Sequence, residues 1–359
     1  MLDLQQYMAS AITQIVTTAY KNVIGNPRQA LFFAQMQVAF GKAERRRKAI
    51  ADSESLSVPP FLIASIATAC NLRCKGCYAV QNGLVKGGKG LTAQQWRAIF
   101  DEASSLGISF ALLAGGEPLT RQDILEQAAE VSNMIFPVFT NGTLINDDTV
   151  KFFSKNLNII PFISIEGDQH QTDERRGDGI HKIVEHAMEV MEREKVFFGA
   201  SITVTAENWQ TATSVEYLKQ LSAKGCRAVI FVEYVPAQEG TDHLVLDDEQ
   251  LRQLGAAVEE RREQCQMILL SFPGDEEAVG GCLAAGCGFF HINPTGKAEP
   301  CPFSPYSDTS VLEVGVKGAL NSPLFRKLQM ANLVGGEQHG GCTLFDHREE
   351  VEAIVKGEE

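Results

Sequence analysis

Several features that would place this chain in other protein classes are missing from its sequence. No run of apolar residues reaches the roughly 18 that a membrane-spanning helix needs, so the sequence predicts no membrane span. An excess of basic residues is also lacking. The 45 Asp and Glu outnumber the 32 Lys and Arg, and a net charge of -13 argues against nucleic acid as the partner. There is no low-complexity segment and no repeat of about 20–50 residues, which excludes solenoids and propellers.

A signal peptide and a disulfide framework are likewise not evident. The sequence contains nine cysteines, and without a signal peptide they indicate metal ligation in a reducing compartment. We therefore expect a cytoplasmic protein whose cysteines bind metal. The composition, 44% hydrophobic and 21% charged, fits a globular protein with one large core and an appendage.

Residues 1–57 are predicted to form an N-terminal helical segment. Apolar residues recur at helical spacing on both sides of Asn26-Pro27, which breaks the run into two helices. The second helix ends in the basic run Arg45–Lys48, and cations are favourable at a helix C-terminus. A patch for anionic lipid or an acidic partner is the alternative interpretation of this run.

Between residues 58 and 240, apolar strands alternate with helices. Strands are predicted over 61–69, 108–114, 135–139, 159–165, 198–205 and 228–235, with a helix between each pair. Near-continuous apolar strands in this order indicate a parallel sheet that is buried on both faces. Six βα units are too few for an eight-stranded barrel, so the expected fold class is α/β, a partial (β/α)6 TIM-like barrel. Its active-site loops would lie at the C-terminal ends of the strands.

Residues 241–359 are less regular and form the third predicted unit. A helix is expected over 247–264, followed by a stretch rich in Gly and Cys. A short hairpin is predicted around Pro294-Thr295-Gly296, and a last helix near 321–331.

Three cysteines follow the first predicted strand in the run Cys70-Asn-Leu-Arg-Cys74-Lys-Gly-Cys77. Thiols at this spacing can hold three corners of a cubane iron–sulfur cluster, and the missing fourth ligand leaves one iron open to a small molecule. A zinc site is the alternative. It would want a fourth ligand nearby, and the next cysteine is Cys226.

The second predicted strand ends in Gly115-Gly116-Glu117-Pro118. Two glycines let the backbone approach a ligand closely, and Glu117 adds a fixed acceptor. Because this motif lies one βα unit after the cysteines, both would meet at the same edge of the sheet.

Together the two motifs resemble those of the radical S-adenosylmethionine (SAM) superfamily, over residues of about 61 to 236. The resemblance implies that Cys70, Cys74 and Cys77 hold a 4Fe-4S cluster whose open iron binds the amino and carboxylate groups of SAM. Reductive cleavage of SAM would give methionine and a 5′-deoxyadenosyl radical, which abstracts hydrogen from an unactivated C–H bond. It also implies a reductant such as flavodoxin or ferredoxin and an anaerobic or microaerobic setting.

The resemblance implies further SAM contacts at the strand ends. Gly115, Gly116 and Glu117 would meet the methionine amine. Arg175 or Arg176 would pair with the carboxylate, although these arginines could instead be an exposed pair. The other implied contacts are Tyr78 for the cluster and adenine, Thr140, Asn141, Ser164 and Glu166 for ribose and methionine, and Val204 for adenine. Tyr78 could instead be a core aromatic, and many relatives carry Asp where Glu166 stands.

A second constellation consists of Cys282, Cys287, Cys301 and Cys342. It resembles the first half of the SPASM extension of radical SAM enzymes, or the shorter twitch domain. A full SPASM pattern has seven cysteines and two auxiliary clusters, so four cysteines imply one auxiliary 4Fe-4S cluster. A structural zinc site is an alternative, and an open cluster would result if Cys287 did not ligate. Cys226 and Cys265 lack a partner spacing and are predicted to be small buried hydrophobes.

The resemblance implies a radical SAM oxidoreductase, and SPASM-like relatives often modify peptides or proteins. Residues 1–55 look purely helical and lack the peptide-binding domain common in such relatives, so a small-molecule or lipid substrate is the alternative. A lipid would suit the apolar helices of 1–42 and a peripheral membrane contact. A non-catalytic iron–sulfur protein is a distant alternative, because it would need neither the Gly-Gly-Glu-Pro motif nor a barrel.

Four residues after the fourth and sixth strands are candidate acid–base groups for a substrate radical. They are His170, Asp173, Glu233 and Tyr234.

Overall fold

The computed structural model describes residues 26–335 and 342–357. The predicted helix that precedes Asn26 lies outside these residues. The strands are β1 (Phe61–Ala67), β2 (Phe110–Gly115), β3 (Phe136–Thr140), β4 (Ile159–Ser164), β5 (Gly199–Val204), β6 (Ala228–Glu233), β7 (Ile268–Phe272), β8 (His291–Ile292), β9 (Lys297–Glu299) and β10 (Thr309–Ser310).

The helices are α1 (Pro27–Glu54), α2 (Tyr78–Gln81), α3 (Ala93–Leu106), α4 (Gln122–Ala129), α5 (Asp147–Lys155), α6 (Gln169–Arg176), α7 (Ile180–Arg193), α8 (Trp209–Ala212), α9 (Val215–Ala223), α10 (Asp248–Gln264), α11 (Val311–Leu320), α12 (Pro323–Met330), α13 (Thr343–Asp346) and α14 (Arg348–Lys356). None of the helices in residues 26–335 and 342–357 combines the length and apolar character needed to cross a bilayer.

All ten strands form one sheet in the order β10-β9-β8-β1-β2-β3-β4-β5-β6-β7. Neighbours from β1 to β7 are parallel, and β8 is parallel to β1 on its other side. The predicted hairpin is present, because β9 returns antiparallel to β8. The C-terminal ends of β1 to β6 therefore point to one edge of the sheet, as in a partial TIM-like barrel.

The sheet is longer than the six predicted strands. Ile268–Phe272, for which the sequence predicts no strand, pairs with β6 along five residues. β8 is only two residues long, and it is the first strand of the hairpin that the sequence predicts. Across the gap between these two strands, the rings of Phe272 and Phe289 lie 5.4 Å apart.

The helices that follow β1 to β5 cover the outer face of the sheet and form the main core with it. In α3, Thr92 and Gln95 form a capping box that fixes the helix start. Trp96 and Phe100 on its inner face are fully buried against the strands.

Helix α1 closes the N-terminal end of the barrel. Asn26 caps it and Pro27 occupies its first turn. Phe33, Met36 and Phe40 pack in a second core with residues at or next to the starts of several strands. These residues include Phe110, Ile135, Ile160, Ala228 and Ile268. The described apolar face of α1 is therefore used inside the molecule.

The basic run Arg45–Lys48 lies inside α1, which continues to Glu54, so the prediction that the helix ends in this run was wrong. The run has a structural role at two of its positions. Arg46 donates to the carbonyl of Ser105 at 2.9 Å, and buried Arg47 donates to the carbonyl of Gly107 at 2.6 Å. Both carbonyls lie at the C-terminus of α3, where unpaired carbonyl groups and the helix dipole attract cations.

Candidate active site and cysteine-rich region

The three cysteines of the first motif lie in the loop between β1 and α2. The Leu72 backbone N–H donates to the Cys70 sulfur at 3.4 Å, and the Asn141 side-chain amide approaches it at 3.9 Å. Burial raises the pKa of the Cys70 thiol, and the Leu72 N–H opposes that shift. Neighbouring Cys74 and Cys77 raise this pKa further.

Sulfur hydrogen bonds of this kind tune iron–sulfur clusters. Among residues 26–335 and 342–357, no three His, Cys, Asp or Glu side chains converge closely enough to hold a single metal ion. A tetrahedral zinc site would require such convergence, with Zn–S bonds of about 2.3 Å.

Glu117 joins the ends of two strands beside this loop. Its carboxylate is 1% exposed and accepts hydrogen bonds from the Thr140 hydroxyl at 2.7 Å and the Asn141 backbone N–H at 2.8 Å. A third bond comes from the Leu119 N–H at 3.0 Å. Burial raises the pKa of Glu117, and these donors lower it. A carboxylate offers about four acceptor sites, so one remains for a further donor.

The two glycines before Glu117 are required by their surroundings. Gly115 has φ of +113°, and a Cβ on Gly116 would lie 2.0 Å from the carbonyl oxygen of Ala69. The Glu117 N–H donates to that same carbonyl at 2.8 Å. The end of β2 is thus held against the chain segment that leads into Cys70, with no space for a side chain between them.

A similar close approach occurs inside the cysteine loop, at Gly76. Its φ is +69°, and a Cβ there would lie 2.1 Å from the Tyr234 hydroxyl. The Gly76 N–H donates to the Gln238 side chain at 2.7 Å. The loop therefore packs directly on the segment after β6.

A buried charge cluster lies at the ends of β4 and α6. Arg175 and Arg176 both contact the Glu166 carboxylate, at 2.7 and 2.5 Å, and the Thr203 N–H donates to its other oxygen at 3.0 Å. The side chains of Arg175 and Arg176 are 15% and 8% exposed, so they are not an exposed pair.

This cluster carries a net positive charge beside the cysteine loop. Two guanidinium groups face one carboxylate, and Arg175 interacts electrostatically with Cys74 and Cys77. Each arginine has a buried Nε with no hydrogen-bond partner in the described part of the chain. Unsatisfied buried donors of this kind indicate an absent acceptor, and a ligand carboxylate fits that requirement.

Other residues implied as SAM contacts lie at the same edge. Thr140 and Asn141 end β3, and the Asn141 amide also donates to Asn71 in the cysteine loop at 2.9 Å. Ser164 is the half-buried last residue of β4. Val204 ends β5, and its carbonyl accepts the Tyr234 N–H at 2.9 Å.

The acid–base candidates differ in their surroundings. His170 is 83% exposed and near Glu174, and the Asp173 carboxylate accepts the His181 N–H at 2.8 Å. Glu233 is buried at the end of β6, and the buried Tyr234 hydroxyl donates to Thr241 at 2.8 Å. Of these four candidates, Glu233 and Tyr234 are the two buried residues.

The second set of cysteines also comes together. Cys282 and Cys301 are buried, whereas Cys287 and Cys342 are half-buried. Cys301 interacts electrostatically with Cys342 and Cys282, and Cys282 with Cys342 and Cys287. Burial raises the thiol pKa of Cys287 to about 11 and that of Cys342 to about 12. Neutral buried thiols become thiolates when a metal coordinates them, so these residues fit a cluster.

Comparison with known proteins agrees with this geometry. Residues 64–218 match the sequence profile described as the Radical SAM superfamily. The chain contains a radical SAM domain. It is therefore an enzyme of the class that uses SAM and a 4Fe-4S cluster.

Curated relatives of this radical SAM protein cover most of its length. The AdoMet-dependent heme synthase of Methanosarcina barkeri (strain Fusaro / DSM 804) is 27% identical over 80% of this chain and 89% of the relative. The mycofactocin maturase MftC of Mycolicibacterium smegmatis is 24% identical over 81% of this chain and 77% of the relative.

A solved structure shares the fold. Streptococcus suis SuiB bound to S-adenosylmethionine has a TM-score of 0.65 and 18% sequence identity, over 80% of this chain and 72% of that chain. At this identity the similarity shows a common fold.

The two cysteine sites of the radical SAM protein meet through Tyr78. Its ring contacts Phe303 edge-on at 5.0 Å, and it interacts electrostatically with Cys77 and Cys301. Asn82 donates to the carbonyl of Pro302 at 2.8 Å. Tyr78 is therefore placed between the first motif and the segment that carries Cys301.

A buried network that the sequence did not predict lies behind this contact. The Ser65 hydroxyl lies 2.7 Å from Nε2 of His291, and Nδ1 of His291 lies 2.8 Å from Glu299. Asn293 donates to the other Glu299 oxygen at 2.6 Å. These residues link β1, β8 and β9. The predicted hairpin turn at Pro294-Thr295-Gly296 could have revealed part of this network, because the hairpin pairs His291 with Glu299.

The second missed residue is Glu276, in the turn Gly274–Val279 that follows β7. Burial raises the pKa of its carboxyl to about 8. Its neighbours in sequence are also acidic, and so the pattern did not single it out.

Proposed function

We propose that this enzyme cleaves SAM reductively at the Cys70, Cys74 and Cys77 site and abstracts hydrogen from an unactivated C–H bond of its substrate. The observation that carries the proposal is the meeting of these thiols, Glu117 and the Arg175–Arg176 pair at one edge of the sheet. Bound together, the cluster and SAM supply the electron and the 5′-deoxyadenosyl radical.

The protein residues bind and orient SAM. Gly115, Gly116 and Glu117 hold the methionine amine against the strand end, where Gly116 lies against Ala69 at the start of the cysteine loop. Arg176, fixed by Glu166, pairs with the methionine carboxylate through a donor that the protein itself does not use. Thr140, Asn141, Ser164, Glu166 and Val204 complete the site on the following strand ends, and Tyr78 covers the cluster.

We propose that residues 241–359 serve as an auxiliary unit to the radical SAM unit of 58–240. We propose that this unit holds one 4Fe-4S cluster, with Cys282, Cys287, Cys301 and Cys342 as its candidate ligands. Their mutual electrostatic interactions and the adjoining Tyr78–Phe303 contact support this assignment. The cluster would exchange electrons with the product radical or the reductant.

The barrel interior favours an apolar group on the substrate. Leu112, Ile230, Val232 and Leu270 alternate with residues that pack on the outer helices, and they are only half-buried. A side chain of a peptide would suit such a lining. MftC is a maturase by its name, and SuiB has been solved with its precursor peptide SuiA.

A tetrapyrrole is the second candidate substrate. It is favoured by the heme synthase relative, because 89% of that protein aligns with this chain. A second relative from the same organism is an Fe-coproporphyrin III synthase.

Substrate class is tested by stimulation of SAM turnover. The anaerobically reconstituted enzyme is given SAM and dithionite with either a set of short peptides of varied apolar side chains or Fe-coproporphyrin III. If the substrate is a peptide, at least one peptide of the set should increase the amount of 5′-deoxyadenosine formed and should itself change in mass. If only Fe-coproporphyrin III increases the formation of 5′-deoxyadenosine and is itself converted, the substrate is a tetrapyrrole and the peptide proposal is wrong.

A further inference from the structure

A ring of three polar side chains ties the loop after β3 to the cysteine loop. The Asn71 amide donates to the Thr143 hydroxyl at 2.7 Å, and that hydroxyl donates to Oδ1 of Asn141 at 2.6 Å. The Asn141 amide closes the ring by donating to Oδ1 of Asn71 at 2.9 Å. Each side chain therefore donates to one neighbour in the ring and accepts from the other.

A backbone contact fixes the direction in which the Asn141 side chain faces. The Thr143 backbone N–H lies 3.0 Å from Oδ1 of Asn141, and this group can only donate. The oxygen of Asn141 must therefore point to Thr143, and its amide nitrogen to the cysteine loop. Because Asn141 is buried, this orientation is held inside the protein.

The Asn141 amide also faces the sulfur of Cys70. A side-chain amide has two N–H donors, and Asn71 accepts from one of them. The amide nitrogen lies 3.9 Å from the Cys70 sulfur, so the second N–H is available to this sulfur. The Leu72 backbone N–H donates to the same sulfur at 3.4 Å. Cys70 therefore has one donor from its own loop and one from the end of β3.

These contacts use every hydrogen-bonding atom of the Asn141 side chain. Its oxygen has two acceptor sites, which the N–H and the O–H of Thr143 occupy. Its two N–H groups face Asn71 and Cys70. The side chain is therefore engaged with the cysteine loop and not free for ribose or methionine, in contrast to the contact that the family resemblance implies.

We propose that Asn141 is a positioning residue that acts through Cys70, and that its amide donates to the Cys70 thiolate and raises the reduction potential of the first cluster. The proposal rests on the cluster of the proposed function. A coordinating thiol is deprotonated, and an ionised acceptor strengthens a hydrogen bond. Hydrogen bonds to the sulfurs help to set the potential of an iron–sulfur cluster. A donor raises the potential because the reduced cluster carries one more negative charge.

The step that this hydrogen bond affects is reduction of the first cluster. One electron passes from a reductant of the flavodoxin or ferredoxin class to the oxidised cluster before SAM can be cleaved. A higher potential makes this transfer more favourable. Asn71 and Thr143 serve to link the loop of the cluster to the strand end that carries the donor.

The test compares Asn141→Leu with Thr143→Val in the full-length, anaerobically reconstituted protein. N141L removes the amide with little change in volume, whereas T143V opens the ring but leaves the amide and the Thr143 N–H in place. Asn146→Leu is the matched control, because Asn146 also accepts two backbone N–H groups, both at 3.0 Å, but at the exposed start of α5.

Two quantities are measured in each variant. The first is the reduction potential of the cluster whose electron paramagnetic resonance signal changes when SAM is added, obtained by redox titration. The second is the dissociation constant of SAM, obtained by equilibrium binding. The proposal predicts a shift to lower potential in N141L, unchanged potentials in T143V and N146L, and the same SAM affinity in all three.

Three results would overturn the proposal. An unchanged potential in N141L would show that the amide does not act on Cys70, and a loss of SAM affinity with it would make Asn141 a SAM contact. Equal shifts in N141L and T143V would show that the ring has only a structural role. If N141L takes up no first cluster, Asn141→Ala replaces it, and loss of the cluster from both would likewise make Asn141 structural.

Failure of the proposed function gives a different result. In that case the unmodified protein itself would have no cluster signal that responds to SAM, whatever the residue at position 141.

Discussion

At the scale of single residues, close backbone contacts determine the position of the loop that carries the proposed SAM-binding cluster. Gly116 lets β2 touch the segment before Cys70, and Gly76 lets the cysteine loop touch Tyr234. The cysteine spacing itself is visible in the sequence. That Gly76 faces Tyr234 is not, because 158 residues of chain separate positions 76 and 234.

Gly76→Ala should therefore prevent assembly of the first cluster. Its Cβ would lie 2.1 Å from the Tyr234 hydroxyl, and its φ of +69° is unfavourable for Ala. We expect iron in the reconstituted protein to fall from about eight to about four per chain. Gly87→Ala is the matched control, because Gly87 has φ of +72° and no atom within 4 Å of its Cβ position. Full iron content in G76A would contradict this account of the loop.

Arg176→Met should weaken SAM binding. The substitution removes one of two buried cations beside the cysteine loop, and a charge-assisted hydrogen bond contributes about 1.5–3 kcal/mol. The dissociation constant of SAM should rise by roughly 10- to 100-fold, as measured by equilibrium binding to the clustered protein. Arg193→Met, at an exposed arginine of α7, is the control. Equal affinity in both variants would show that Arg176 serves only to balance Glu166.

At the scale of elements, α1 acts as the closure of the barrel. Its helical character followed from the apolar spacing on either side of Phe33 and from the Asn26-Pro27 break. Its position did not follow, because the same spacing is equally suited to a lipid surface. The packing of Phe40 against Phe110, with ring centroids 4.9 Å apart, decides between the two.

Phe40→Ala should destabilise the fold by about 3–5 kcal/mol, because it leaves a cavity in a buried aromatic core. Chemical denaturation of the protein reports the change. Val38→Ala on the opposite, 60% exposed face of α1 should change the free energy of unfolding by less than about 0.5 kcal/mol. Similar small effects in both variants would mean that α1 is not part of the core.

Other features could not be predicted from the sequence because they depend on short elements and on contacts between distant parts of the chain. β8 has two residues and pairs with β9 in the predicted hairpin, whereas its pairing with β1 is not visible in the sequence. The Ser65–His291–Glu299 network joins positions that are 226 and 8 residues apart. A local pattern cannot predict the longer of these contacts. The six long strands and the Gly-Gly-Glu-Pro turn were predictable because each is contained in one short stretch.

At the scale of the whole molecule, two cysteine sites share one sheet. β1 leads to Cys70, and β8 and β9 lead to Cys301, so the Ser65–His291–Glu299 network fixes one site relative to the other. Tyr78 and Phe303 lie between them. The molecule therefore holds the proposed SAM-cleaving site and the proposed auxiliary cluster site on one sheet.

The central claim is that the open iron held by Cys70, Cys74 and Cys77 cleaves SAM. The most direct measurement is the amount of 5′-deoxyadenosine formed by the anaerobically reconstituted protein with SAM and dithionite. We predict 5′-deoxyadenosine from the unmodified protein and none from Cys74→Ala, while Cys226→Ala, a core thiol of the barrel, retains the activity. The absence of 5′-deoxyadenosine from fully clustered protein with every reductant tried, flavodoxin and ferredoxin included, would contradict the claim.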